Sequence, residues 1–132
     1  MKKSIGVGAL VVAMATFWIG RGHSETPPSL RDFMRVKLSH SQKVLEGLTT
    51  PDFDMIAKNS EALKRLSLES DWQVIQTPEY QDFSKHFRRA ADALTETAKK
   101  KNLDGAALAY VELTMNCINC HKYVRGVRMA TR

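Results

Sequence analysis

Cysteine is scarce in this chain: there are two in 132 residues, Cys117 and Cys120, three apart. One such pair builds no disulfide framework, so the fold must be held by packing. No stretch shows the period-two alternation of a half-buried strand and no segment repeats, which excludes sheets and solenoids. The longest apolar run, residues 5–20, is 16 residues long and carries Gly6, Gly8 and Gly20, short of the roughly 20 residues that span a bilayer. Also absent are paired carboxylates, a nucleophile with its base, and a phosphate loop, so the composition points away from an enzyme. The net charge of +6 includes Lys2, Lys3 and Arg21; without them it is too small for a nucleic-acid-binding balance.

Lys2 and Lys3 before the apolar run, and the polar stretch 21–25 after it, form the pattern of a secretory signal peptide. Gly22 and Ser24 are small residues two apart, so cleavage is expected after Ser24, leaving 25–132 as one domain in the periplasm. Membrane attachment is expected only if the leader stays uncleaved.

Four amphipathic helices account for the remainder. Leu30, Met34, Leu38, Ser41, Leu45 and Leu48 recur at spacings of three and four, with Phe33 and Val44 widening the stripe, which predicts a helix over 29–48. Thr50, Pro51 and Asp52 form a start signal for a second helix, with Phe53, Ile56, Ala57, Ser60, Leu63 and Leu66 inside. The signal returns at Thr77, Pro78 and Glu79, ahead of a third buried face running from Tyr80 and Phe83 to Leu94 and Ala98. Asp104 is the expected cap of a fourth helix, whose inner face reads Ala107, Tyr110, Val111, Thr114, Cys117, His121 and Val124 and which ends near Gly126. Short connections make neighbouring helices antiparallel, so the expected fold is all-α, an up-down-up-down four-helix bundle after a signal peptide. The longer connection, 69–76, carries Trp72, Val74 and Ile75. It lies at the bundle end that holds Cys117 to His121, where Trp72 either covers a bound group or plugs the bundle end.

Cys117, Cys120 and His121 spell Cys-x-x-Cys-His, the attachment signature of c-type haem: two thiols add across the vinyl groups and the adjacent imidazole binds iron. A thioredoxin-like pair would open a helix after a strand, and this pair lies late in a helix. A structural zinc site would need a second Cys or His pair, and only His23, His40 and His86 remain. The expected cofactor is one covalent haem c per chain.

A leader, four helices and this motif close to the C-terminus together resemble the class II cytochromes c, the family of cytochrome c prime and its low-spin relatives. The likeness runs from about Leu30 to Arg125. Arg125 stands four after the histidine, where the family has a basic residue, and it also suits the negative end of a helix dipole without any haem role. The family's aromatic three after the histidine is replaced by Val124, with Tyr123 one earlier. The resemblance implies a distal residue early in the first helix, and Met34 fits best; His40 falls off that face, at the surface or boundary. Counting 1.5 Å per residue from the two helix ends also sets Met34 and His121 at similar heights. Met34 then either bonds iron opposite His121 or packs against haem. The first choice is a periplasmic single-electron carrier working with redox partner proteins. The alternative, also implied by the resemblance, is a five-coordinate haem binding nitric oxide or carbon monoxide. Many family members dimerise through their first two helices, so a homodimer is a further implication. Basic residues at Lys99 to Lys101 and at Arg125, Arg128 and Arg132 either steer an acidic partner or are solvated surface.

Overall fold

Four helices carry residues 29–69 and 75–130, the part of the chain described by this computed structural model. They are α1 (Leu30–Thr49), α2 (Phe53–Leu66), α3 (Pro78–Lys99) and α4 (Leu103–Ala130), and no strand occurs among the described residues. The leader and Trp72 lie outside the described residues.

Two helix starts are as the sequence predicts. Ser29 caps α1, its Oγ accepting from the Asp32 amide at 3.2 Å, and Thr77 caps α3, accepting from the Tyr80 amide at 3.3 Å with Pro78 in the first position. The other two differ. Asp52, not Thr50, caps α2, its Oδ1 accepting from the Met55 amide at 2.9 Å. Thr50 instead closes α1, donating its hydroxyl to the Glu46 carbonyl at 2.8 Å. A carboxylate two residues nearer the helix satisfies the free amides and complements the dipole better than a hydroxyl. Likewise Asn102, not Asp104, caps α4, its Oδ1 accepting from the Gly105 amide at 2.9 Å while Asp104 sits in the first turn. Asn102 also ends α3. Its amide reaches back to the Thr97 carbonyl and the Lys101 amide to that of Ala98, both at 2.9 Å, with Lys101 held at φ 53°.

Pairs between helices fix the topology. Gly47 lies against Ile56 and His40 Nδ1 meets Asn59 Oδ1 at 2.9 Å, so α1 and α2 run antiparallel. Lys64 pairs with Asp92 at 2.7 Å and Lys99 with Glu61 at 3.2 Å, which does the same for α2 and α3. The Thr77 and Tyr123 hydroxyls meet at 2.6 Å, placing the start of α3 beside the end of α4. The result is the expected up-down-up-down bundle. Ile56, Leu63, Leu94 and Leu113 are almost fully buried at its centre, each contributing roughly 1.5–3 kcal/mol. Ala90, Ala91 and Ala98 of α3 and Ala106 of α4 are buried with them.

The outer helices are turned from their expected faces. On α1 the buried residues are Phe33, Lys37, Val44 and Gly47, whereas Leu38 and Leu45 are exposed. At 100° per residue this is roughly a quarter turn from the stripe of leucines. On α4 the buried residues are Ala106, Ala109 and Leu113; Ala107, Val111 and Thr114 are exposed and Tyr110 is half-buried. The reason is the spacing of the bundle. Each helix packs along its sequence neighbour, but α1 and α4 meet only briefly. Much of the apolar stripe expected on each therefore faces a gap between them. No described helix is long and apolar enough to cross a membrane.

Candidate functional site

Cys117, Cys120 and His121 occupy the C-terminal half of α4. Spacings of three and four set all three within one turn, on neighbouring sides of the helix. Both thiols are free and half-buried. They face the gap left by the parting of α1 from α4, which holds two cavities of about 410 and 530 Å³. The cavities share Arg31, Met34, Lys37, Phe87, Cys117 and His121 as walls, and so form one cleft. The first extends past Cys120 toward Val124 and Arg125, over a floor of Tyr80, Phe83 and Phe87 from α3. The second runs the other way, past Leu38 and Ile118 toward the contact of the Ser41 and Tyr110 hydroxyls at 3.3 Å.

Met34 is half-buried in the wall contributed by α1, facing the side that carries His121. The count from helix ends rests on an α4 that stops near Gly126; the helix runs on to Ala130, so His121 lies nine residues from its end. Met34 and His121 nonetheless line the same cleft. Arg125 is exposed at its rim. Val124 packs against the core in the place of the expected aromatic, while Tyr123 turns to α3, its ring tilted on Phe83 with centroids 5.6 Å apart. His40 is half-buried against Asn59, away from the cleft.

Sequence reasoning missed Lys37. It is 8 % exposed, lines both cavities, and holds its ammonium 3.9 Å from the centre of the Phe87 ring. The available signal was its place on the same side of α1 as Phe33 and Val44. Burial is the main force on its charge and pulls the ammonium down to about 7, while the nearby thiols act the other way. Burial pushes both thiols up, so Cys117 and Cys120 are protonated at neutral pH, despite the opposing effect of Lys37. His121 is lowered, first by desolvation and then by the charges of Lys37 and Arg125, which favours the neutral imidazole that binds metals.

The charge of the cleft is one-sided. Arg31, Arg35, Lys37, Arg125 and Arg128 line it, and among the described residues no Asp or Glu does. Apolar walls with a cationic rim suit a flat apolar group carrying carboxylates, and haem with its two propionates is such a group. Two thiols for thioether bonds, a neutral imidazole beside them and a thioether on the facing helix complete a donor set that fits it. Among the described residues no group of three or more His, Cys, Asp or Glu side chains is placed to hold a metal ion by itself, which leaves a zinc site without its ligands there. No family model, curated protein or solved structure matches this chain.

Proposed function

We propose that the chain is a c-type cytochrome, a single-electron carrier that works in the periplasm after removal of residues 1–24 and belongs with the class II cytochromes c. The observation that carries the reading is the open, cation-rimmed cleft between α1 and α4, into which Cys117, Cys120, His121 and Met34 all converge. When bound, haem would supply the one-electron chemistry of the carrier. Cys117 and Cys120 hold it by two thioether bonds. His121, through its neutral ring, and the Met34 thioether would ligate the iron. Tyr80, Phe83 and Phe87 keep water from the inner edge. Arg125, at the mouth, would hold a propionate together with Arg31 and Arg128. The protein has no catalytic residues in this reading, and its partners are other redox proteins.

Mass spectrometry of the intact, denatured, exported protein tests this directly. One added haem mass is expected, absent from the variant carrying Cys117→Ala and Cys120→Ala; free thiols in fully matured protein would sink the proposal. A visible spectrum then addresses the sixth position. Low-spin haem that turns high-spin in Met34→Ala supports the carrier. Wild-type protein that is already high-spin and takes up carbon monoxide overturns Met34 ligation and promotes the gas-binding alternative.

A further inference from the structure

We infer that Lys37 sets the reduction potential of this cytochrome, holding it above the value that an uncharged side chain at the same position would give. The inference rests on the haem reading above and concerns a residue to which that reading gives no part. Oxidised haem carries one more positive charge than reduced haem, so a neighbouring cation destabilises the oxidised form more. Among the described residues, five cationic side chains line the cleft, but they are not equivalent. Arg31, Arg35, Arg125 and Arg128 are exposed, where water and salt screen a charge over about 8 Å. Lys37 is enclosed, in a wall common to both cavities, and its charge reaches both thiols and His121 on the opposite wall. In such surroundings the same charge acts through a much lower effective dielectric. Among the described residues that line the two cavities there is no Asp or Glu.

The geometry holds the amine in place. Its stem lies along the buried side of α1 between Phe33 and Val44, and the ammonium rests on the face of Phe87, a ring fixed in the core. Met34 lies one helical turn away, so the amine and the thioether stand on the same wall. A substitution at Lys37 thus changes the charge beside the group while Cys117, Cys120 and His121 remain as they are.

The test is electrode-based titration of the haem-loaded protein at pH 6, below the value near 7 at which burial holds this ammonium. Wild type, Lys37→Met and Lys37→Arg are compared, each first shown by mass spectrometry to carry its haem and by its visible spectrum to keep the wild-type axial ligands. Lys37→Met is expected to have a lower potential than wild type, and Lys37→Arg, which keeps the charge, to stay close to it. Equal potentials in wild type and Lys37→Met overturn the inference, as does an equal fall in both variants, because that tracks packing instead of charge. Absence of covalent haem from the wild-type protein would strike at the proposed function itself, a result distinct from either. Should Lys37→Met not fold, Lys37→Gln offers the same neutral comparison.

Discussion

Replacing Lys37 with methionine removes a buried charge but keeps most of the side chain's volume, and the effect on stability can be worked out from its titration. Lys37 is 8 % exposed, and burial brings its ammonium from an ordinary 10.5 down to about 7. At about 1.4 kcal/mol per pH unit, a charged Lys37 costs the folded state about 5 kcal/mol below pH 7. Between about 7 and 10.5 the unfolded chain binds the extra proton and the folded chain does not, so stability rises with pH across that window. Of the total, about 2 kcal/mol is relieved between roughly pH 6 and pH 8.5. Lys37→Met is therefore expected to be about 5 kcal/mol more stable than wild type at pH 6 and about 3 kcal/mol more stable at pH 8.5. Urea denaturation followed by far-ultraviolet circular dichroism gives both numbers. The window stops short of 9.0, the ordinary value for the Cys117 and Cys120 thiols. Burial raises both, so any free thiol withdraws stability as pH climbs beyond that point. A gain that is the same at both pH values, or a less stable variant at pH 6, would refute the reasoning.

Four further substitutions probe the frame, each read from the urea midpoint. Gly47→Ala would bring a Cβ to 2.8 Å from Ile56 Cγ1 and 3.0 Å from the Asp52 carbonyl, and it should lose about 1–3 kcal/mol by prising α1 from α2. Leu113→Ala, at a fully buried position, should cost about 2–5 kcal/mol. Leu108→Ala on the same helix, 73 % exposed, should stay within about 0.5 kcal/mol of wild type. Lys101→Gly should gain about 1 kcal/mol, since φ 53° strains any residue with a Cβ.

The sequence by itself determined the number, order and direction of the helices. That information is local: apolar residues at spacings of three and four, and the polar residues that cap free amides at Ser29 and Thr77. It also brought Cys117, Cys120 and His121 within one turn, because their separation along the chain is all that a helix requires. Asp52 and Asn102 show where even local information blurs, since several polar residues compete at each start and the geometry of the turn chooses one. Which face of an outer helix is buried was decided by the tertiary structure alone. Leu38 and Val111 carry the stripe that periodicity reads, yet both are exposed, because a helix finds its core from where its neighbours stand and α1 stands apart from α4. The same separation opened the cleft and set Met34 in its wall. It also enclosed Lys37, a residue whose type alone marks it for the surface. A lysine's charge state and reach depend on what surrounds it, and its surroundings come from α3 and α4, elements forty and more residues away along the chain.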